Sequence, residues 1–288
     1  MKREVDWNVE GRDWPNRSSS RFVVAGGLRW HVQVSGTGPV LLLIHGTGAA
    51  THSWRGLLPA LSRDFTVVAP DLPGHGFSTR SVNSRLSLPK MAAGIGALIA
   101  ALGLRPQAVV GHSAGAAIAL RMVLDGTIAP RHVVSVNGAL APFPGQAGIV
   151  FPALAKLLFL NPLAAPILAW RADDRAAVAR VIEGTGSRID PEGLDQYRRL
   201  LRTRRHIEST LGMMANWDLW PLLRELPRLQ TPLTLLAATG DKAVPMKVAK
   251  DVNRLVMHST MIAIPECGHL AHEERPAVFL ELIRNACV

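Results

Sequence analysis

The pentapeptide Gly111-His112-Ser113-Ala114-Gly115 most constrains how this chain can fold, because it joins two stretches of different character. The apolar residues 107–110 before it suit a strand buried on both faces of a sheet. The small apolar residues 114–124 after it suit a tightly packed helix. A serine between two glycines at such a junction is typical of a sharp strand-to-helix turn that lifts the hydroxyl clear of the sheet. The pattern therefore predicts an α/β architecture with Ser113 as a nucleophile.

Strand-like and helix-like runs alternate along most of the chain, as they do in a mostly parallel sheet with helices on both faces. Two runs around Gly26-Gly27 predict a hairpin, and continuous apolar runs predict further strands. The predicted strands are residues 21–25, 28–34, 40–44, 65–69, 107–110, 132–136, 233–238 and 260–264. The predicted helices are residues 53–61, 88–102, 114–124, 246–256 and 276–286. The sequence therefore predicts an α/β fold with an eight-stranded, mostly parallel sheet.

The alternation stops between residues 142 and 220, where the sequence is rich in proline, helix-like and without a convincing strand pattern. It resumes at Leu233. A chain of 288 residues is about the right length for one large α/β domain that carries an insertion. We therefore predict a core made of residues 1–141 and 221–288, with residues 142–220 forming an inserted helical cap.

The net charge of +10 comes mostly from arginine, with a local cluster between Arg198 and Arg205. No basic run is long enough, or interleaved with aromatic residues, to resemble a nucleic-acid-binding arm, so no nucleic-acid partner is expected. The cluster is interpreted as a solvent-exposed face of a helix. Cys267 and Cys287 are the only cysteines, and residues 1–14 lack the apolar centre of a secretory signal. A cytoplasmic location is therefore expected.

Residues 149–170 are almost wholly apolar and close to the length of a membrane-spanning helix. Pro152, Pro162 and Pro166 interrupt this run, and proline breaks a continuous helix. The run is therefore interpreted as part of an apolar lid rather than as a transmembrane segment. Peripheral contact with a membrane surface through this lid is a further hypothesis.

A serine hydroxyl becomes a good nucleophile when a base accepts its proton, and an acid must orient that base. His269, just after the last predicted strand, is the candidate base, and Asp241, after the preceding strand, is the candidate acid. The alternative for Asp241 is a helix N-cap, and Asp125 is a weaker candidate acid. His272 lies three residues after His269, but no third ligand has suitable spacing. No metal site and no cofactor are predicted.

Acyl transfer also needs donors for the developing oxyanion. The loop His45-Gly46-Thr47-Gly48 follows a predicted strand, so the N–H groups of Thr47 and Ala114 are the candidate pair. The same glycines faintly resemble a dinucleotide-binding turn, but the third glycine of that motif is missing. His112, beside the nucleophile, is expected to be structural.

Several motifs together resemble the α/β-hydrolase superfamily from end to end: His45-Gly46-Thr47-Gly48, Asp71-Leu72-Pro73-Gly74-His75-Gly76, the serine pentapeptide, residues 241–245 and Gly268-His269. More specific stretches are similar to the magnesium-chelatase accessory hydrolases of bacteriochlorophyll biosynthesis. These stretches are residues 13–17, 46–54, 111–117, 184–187, 213–219 and 269–274.

This resemblance implies an α/β-hydrolase fold, with the catalytic serine, aspartate and histidine carried over onto Ser113, Asp241 and His269. It also implies a role beside the chelatase that inserts magnesium into protoporphyrin in a phototrophic bacterium, at or near its inner or photosynthetic membrane. Magnesium chelatase is thus an expected partner. The resemblance implies no known reaction.

The cap supplies the candidate substrate-binding residues Phe151, Met213, Met214 and Trp217, whose alternative role is to pack the cap against the core. If a tetrapyrrole binds, the cluster of Arg198, Arg199, Arg202, Arg204 and Arg205 offers partners for its propionates. The leading hypothesis is a serine hydrolase acting on an ester of a bulky apolar or tetrapyrrole-like substrate. The alternative is an accessory protein that binds a tetrapyrrole or the chelatase. Carbon–carbon hydrolase or perhydrolase chemistry, which uses the same triad, stays open.

Overall fold

Eight strands form a single sheet in the computed structural model, which describes residues 5–80, 86–142, 156–161 and 163–287. The strands are β1 (Ser20–Ala25), β2 (Leu28–Ser35), β3 (Val40–Ile44), β4 (Thr66–Pro70), β5 (Pro106–His112), β6 (His132–Val136), β7 (Leu233–Ala238) and β8 (Ser259–Ile264). Their order is β1-β2-β4-β3-β5-β6-β7-β8. β2 runs antiparallel to β1 and β4, and every other neighbouring pair is parallel. The predicted eight-stranded, mostly parallel sheet is confirmed.

Helices cover both faces of this sheet. Their bounds are Leu58–Leu61, Leu88–Ala101, Ala114–Leu124, Ala164–Arg171, Arg175–Gly184, Pro191–Leu201, Arg204–Ala215, Trp220–Glu225, Met246–Leu255, Ala271–Glu274 and Pro276–Cys287. Residues 156–160 are also helical, and short 3₁₀ turns lie at Arg17–Ser19, Thr51–Trp54 and Leu226–Arg228. The predicted helix at residues 53–61 is wrong, because the structure divides it between a 3₁₀ turn and the helix Leu58–Leu61. Pro59 explains the break, since it has no N–H to donate to the preceding turn.

Side chains of the central strands alternate between two hydrophobic cores. In β3, Leu42 and Ile44 face the core beneath the helices Leu88–Ala101 and Ala114–Leu124. Leu41 and Leu43 face the opposite core, which the helix Pro276–Cys287 covers. Burial on both faces is why these strands are continuous apolar runs rather than alternating ones.

Between β6 and β7 the described residues are helical and contain no strand. This is the region predicted to form the cap, although its boundaries at residues 142 and 220 stay predictions. In the part of the chain that the structure describes, no helix is both long and apolar enough to cross a membrane. The predicted lid contributes the eight-residue helix Ala164–Arg171.

The residues before β1 connect the core to the region between β6 and β7. Trp14 Nε1 donates to Thr51 Oγ1 at 2.9 Å in the loop after β3. The neighbouring carboxylate of Asp13 accepts two hydrogen bonds from Arg199, each of 2.8 Å. Leu200 packs in the same apolar cluster as Trp14. The N-terminal segment therefore holds a helix of the predicted cap against the core.

Asp71, at the start of the loop after β4, organises the carboxyl end of the sheet from a fully buried position. Its Oδ1 accepts from Thr51 N–H at 2.7 Å, and its Oδ2 accepts from His31 Nδ1 at 2.7 Å and from Phe77 N–H at 2.9 Å. Burial alone would raise the pKa of Asp71, but His31 and these hydrogen bonds outweigh it and lower the pKa to about 2. The carboxylate therefore stays charged and joins the loops that follow β3 and β4.

Six histidines are buried and form no ion pair with another described residue: His45, His52, His75, His112, His206 and His272. Burial lowers the pKa of each below 6.5, to about 4 for His206 and about 3 for His272. These rings are therefore neutral in the folded protein near neutral pH. His206 Nε2 donates to Gly48 O at 3.0 Å while its Nδ1 accepts from Gly76 N–H at 3.2 Å, an arrangement that only the neutral ring can make.

The helix Ala114–Leu124 approaches β3 unusually closely. A Cβ at Gly115 would lie 2.1 Å from the carbonyl oxygen of Ile44, and a Cβ at Gly111 would lie 2.5 Å from the backbone of Ala116. Both contacts are with backbone atoms, which cannot rotate away. The two glycines of the serine pentapeptide are therefore needed for helix packing.

Gly115→Ala should destabilise the protein by about 3 kcal/mol, because the added methyl group must push the helix away from β3. The free energy of unfolding in urea measures this change. Gly184→Ala is the matched control, since a Cβ at that position in the last turn of a helix would meet nothing within 4 Å. The control should unfold at the wild-type urea concentration or slightly above it. Equal losses in both variants would contradict the packing explanation.

The free energy of unfolding should fall as the pH decreases below 6.5. In this range the buried histidines bind protons in the unfolded chain but stay neutral in the folded protein. Each such histidine contributes about 1.4 kcal/mol per pH unit between the unfolded and folded pKa values, and nothing above pH 7. His206→Gln keeps a donor and an acceptor without titrating, so it should reduce the slope between pH 6.5 and 5 by that amount. Urea unfolding across this range measures the slope for wild type and variant, and identical slopes in the two proteins would contradict the prediction.

Candidate active site

Ser113 stands at the sharp turn between β5 and the helix Ala114–Leu124. Its backbone angles are φ 51° and ψ −118°, a conformation that costs a non-glycine residue on the order of 1–3 kcal/mol. Ser113 N–H donates to Val136 O at 3.0 Å, and Ala139 N–H donates to Ser113 O at 3.1 Å. The end of β6 and the loop after it therefore hold the strained serine in place. Such a turn is typical of a nucleophile presented above a sheet.

His269 and Asp241 are joined by a hydrogen bond in which His269 Nδ1 donates to Asp241 Oδ2 at 2.8 Å. The two residues lie in the loops after β8 and β7, at the carboxyl ends of neighbouring parallel strands. The Asp241 side chain is almost fully buried, and that of His269 is slightly exposed. With the proton on Nδ1, the Nε2 of His269 has a free lone pair that can accept a proton.

The second carboxylate oxygen of Asp241 fixes the loop in which it lies. Oδ1 accepts from the N–H groups of Ala243 and Val244, each at 2.8 Å. The interpretation of Asp241 as a helix N-cap is wrong, because Pro245 occupies that position before the helix Met246–Leu255. The weaker candidate acid, Asp125, instead pairs with Arg121 at 2.7 Å.

Asn137 contacts the backbone of the histidine loop, which the sequence analysis did not predict. It follows β6 with a φ of 45°, and its Oδ1 accepts from Ala238 N–H at 2.8 Å. Its Nδ2 donates to the carbonyl oxygens of Gly268 at 3.0 Å and His269 at 2.9 Å. Asn137 therefore connects the end of β7 to the histidine loop. The signal in the sequence is the Asn-Gly pair directly after a buried strand, which is typical of a turn with positive φ.

His112 and His272 lie beside His269. His112 Nε2 donates to His269 O at 2.9 Å, and the His112 ring centroid lies 4.8 Å from that of His269 and 4.5 Å from that of His272. His272 Nε2 donates to Ser53 Oγ at 2.8 Å. Among the described residues, no group of three His, Cys, Asp or Glu side chains is placed to hold a metal ion. Through these contacts, His112 and His272 support the histidine loop.

The loop after β3 lies against the serine turn. A Cβ at Gly46 would lie 3.0 Å from Ser113 Cβ, so the loop is in close contact with Ser113. Ala114 is the first residue of its helix, where N–H groups have no partner within the helix. Thr47 is next to Gly46, and its Oγ1 donates to Met213 Sδ at 3.5 Å. The structure thus brings the segment of Thr47, the candidate second oxyanion donor, close to Ser113 and Ala114.

The predicted substrate-binding residues have different environments. Met213 is fully buried and contacts Thr47, and Trp217 is half-buried against the main core. Met214 is exposed, and Phe151 lies outside the described residues. Met213 is thus the one of the three described residues with a contact to Thr47, and the binding role of all four stays a prediction.

The arginine cluster has partners within the protein. Arg198 donates to Asp173 O at 2.8 Å, Arg199 binds Asp13, and Arg202 Nε lies 2.5 Å from Asp173 Oδ1. Arg204 Nε lies 2.7 Å from Glu208 Oε1, and Arg205 donates to Ser78 O at 3.3 Å. These arginines would have to leave such contacts to bind the propionates of a tetrapyrrole.

A buried polar network ties the predicted cap to the histidine loop through Glu273. Tyr197 Oη, from the helix Pro191–Leu201, and Ser53 Oγ both donate to Glu273 Oε1 at 2.7 Å. Arg55 forms an ion pair with the other Glu273 oxygen and a second one with Asp190 at 2.8 Å. Burial raises the pKa of Glu273, and the Arg55 guanidinium opposes that shift. The network joins three separate segments of the chain, and its central residue, Glu273, is four residues after His269.

Comparisons with known proteins identify the family and the fold. Residues 39–276 match a family model described as alpha/beta hydrolase fold. The chain is 43% identical over 263 residues to the magnesium-chelatase 30 kDa subunit of Rhodobacter capsulatus, covering 91% of this chain and 92% of that protein. It is 28% identical over 264 residues to pyrrolizixenacetamide deacetylase of Xenorhabdus hominickii, covering 88% and 92%.

Among solved structures, the esterase RhEst1 from Rhodococcus sp. ECU1013 superposes with a TM-score of 0.74 at 23% identity, covering 93% of this chain and 98% of that one. At that identity the likeness shows the fold alone. The resemblance that the sequence motifs indicate is confirmed by the matches together.

Proposed function

Because the chain belongs to the α/β-hydrolase family, we propose that it is a serine hydrolase in which Ser113, His269 and Asp241 form the catalytic triad. The observation that carries this proposal is the 2.8 Å hydrogen bond between His269 and Asp241, made at the same edge of the sheet as the strained Ser113 turn. A chain that needed only the fold would have no use for a buried carboxylate held by two N–H groups and aimed at an imidazole.

In the proposed mechanism, Ser113 Oγ attacks the carbonyl carbon of an ester while His269 Nε2 accepts the hydroxyl proton. Asp241 keeps the other ring proton on Nδ1 and stabilises the imidazolium that forms. His269 then gives its proton to the leaving alcohol, and an acyl-enzyme remains. Water, activated by His269, hydrolyses the acyl-enzyme to release the acid and restore Ser113. The N–H groups of Thr47 and Ala114 stabilise the oxyanion, at roughly 3 kcal/mol each.

The proposed substrate is bulky and apolar. Met213 supports this because it places an apolar side chain in contact with Thr47, beside the proposed oxyanion site. The deacetylase to which the chain is similar is named for removing an acyl group, which is the same class of chemistry. Carbon–carbon hydrolase and perhydrolase reactions use the same triad and stay open as alternatives.

We also propose that the protein works with magnesium chelatase in bacteriochlorophyll biosynthesis. The support is its 43% identity to a protein named as a magnesium-chelatase subunit. The same similarity favours a second candidate function, an accessory protein that binds the chelatase or a tetrapyrrole without catalysis. The triad favours the hydrolase, and the internal partners of the arginine cluster disfavour a tetrapyrrole site there.

A fluorophosphonate probe should label the wild-type protein, and Ser113→Ala should abolish both labelling and the hydrolysis of nitrophenyl esters. Asp241→Asn retains the carbonyl that accepts from Ala243 and Val244 but favours the wrong tautomer of His269, so it should slow labelling about 10⁴-fold. Asp125→Asn is the matched control and should react at the wild-type rate. Absence of labelling in folded wild-type protein would contradict the proposed triad.

A magnesium chelatase assay separates the two candidate functions. If hydrolysis is the contribution of this protein, wild type should raise the rate of magnesium insertion into protoporphyrin, whereas an equal amount of folded Ser113→Ala should not. Circular dichroism and thermal unfolding establish that the variant is folded. Equal stimulation by both proteins would favour the accessory function and contradict the catalytic one.

A further inference from the structure

The helix Ala164–Arg171 has an inverted burial pattern. Ala165 and Ala169 are buried against Ile207 and Leu211 of the helix Arg204–Ala215. The large apolar residues point outward instead: Leu163 is 63%, Ile167 53% and Trp170 70% exposed. A helix that only needed to cover the core would bury its large residues and expose its small ones. The outward side is therefore built for contact with something outside the chain.

The preceding helical residues extend this exposed surface. Leu157 is 66% and Leu160 68% exposed, at positions three apart that share a helix face. The ring of Phe159 anchors this turn, because it occupies the space beside Gly212 where a Cβ would meet Phe159 Cε2 at 2.8 Å. We call Leu157, Leu160, Leu163, Ile167 and Trp170 the apolar face. Scattered exposed apolar residues are ordinary, but a succession of large ones marks an interaction surface.

The charges within the segment that carries the apolar face are positive. Lys156 and Arg171 are the only charged residues between positions 156 and 172, and both are exposed. Trp170 also lines a groove that holds carboxylates and arginines together: Glu10, Asp13, Asp173, Glu192, Asp195, Arg198, Arg199 and Arg202. Three of these carboxylates are ion-paired, Asp13 with Arg199, Asp173 with Arg202 and Asp195 with Arg175. The chain as a whole has a net charge of +10. The occupant that complements this surface is therefore apolar in its centre and anionic at its edge.

We propose that the apolar face docks on the surface of an anionic lipid bilayer. A bilayer offers hydrocarbon to leucine and isoleucine, an interfacial zone to tryptophan, and anionic headgroups to lysine and arginine at the two ends of the segment. Cations that flank an apolar stretch fit this arrangement better than a protein interface, whose composition is depleted of lysine. The eight-residue helix is too short to span a membrane and instead lies along its surface.

Docking also gives the protein an orientation. The helix Arg204–Ala215, on which the apolar face is mounted, carries Met213 in contact with Thr47. The bilayer therefore lies on the same side of the sheet as the candidate site. An apolar molecule dissolved in the bilayer would approach the protein from that side. The docking itself does not depend on the proposed hydrolase activity.

Co-sedimentation of the full chain with vesicles of phosphatidylcholine and phosphatidylglycerol in a 3:1 ratio tests the proposal. Wild type should bind these vesicles, and the combined variant Leu163→Ser, Ile167→Ser and Trp170→Ser should bind at least about tenfold more weakly. These side chains are exposed, so the variant should keep its fold, which circular dichroism verifies. The matched control, Val24→Ser with Met257→Ser, removes strongly exposed apolar residues elsewhere and should bind like wild type.

Charge provides a second readout. Lys156→Gln with Arg171→Gln should weaken binding to the anionic vesicles about as much as added salt does, and should leave any binding to pure phosphatidylcholine unchanged. Brominated acyl chains should quench wild-type fluorescence more than that of Trp170→Phe. The proposal is overturned if folded wild type does not bind the anionic vesicles, or if the combined variant binds them equally well. A wild-type dimer that the combined variant cannot form would overturn it in favour of a second copy of the chain.

Discussion

The close approach of the helix Ala114–Leu124 to the end of β3 is the contact on which the rest of the site depends. Glycine at positions 111 and 115 leaves room for backbone to meet backbone, and the first half of the helix is fully buried. Because the helix lies this close to β3, its first N–H groups lie next to Ser113. That serine adopts a positive φ of 51°. The loop after β3 then follows the same surface. One steric condition therefore shapes the turn and brings the start of the helix and the loop after β3 next to Ser113.

The histidine loop is held in a different way, by hydrogen bonds to its backbone. Asn137 and His112 both donate to the carbonyl oxygen of His269, while Asp241 contacts the ring. Burial lowers the pKa of His112 well below 6.5, so its ring, like the Asn137 amide, is neutral near neutral pH. The two side chains that hold the backbone of the histidine loop are therefore both uncharged.

Local pattern was enough to predict the strands and the order Ser, Asp, His, because buried parallel strands are continuous apolar runs and the candidate residues follow strand ends. The contribution of Asn137 could not be predicted, since it requires β6 to lie between β5 and β7, which only the assembled sheet shows. The helical spacing of apolar residues also continues across Pro59, so the sequence pattern did not reveal that the predicted helix at residues 53–61 is divided. In the predicted lid, the composition indicated an apolar segment but not which side chains are buried. That the alanines of the helix Ala164–Arg171 face inward is evident only from its packing against the neighbouring helix.

The network around Glu273 has a consequence for how the chain is assembled during synthesis. Tyr197 is made 76 residues before the carboxylate that it binds, and β7, β8 and the histidine loop all follow it. The helices of the predicted cap therefore leave the ribosome before the residue that they bind has been made. Until residue 273 emerges, the polar groups of Tyr197 and Arg55 have no common acceptor, and these helices cannot form their final contacts with the histidine loop. That contact is thus among the last to form during synthesis, after the segment of Ser113 has been made.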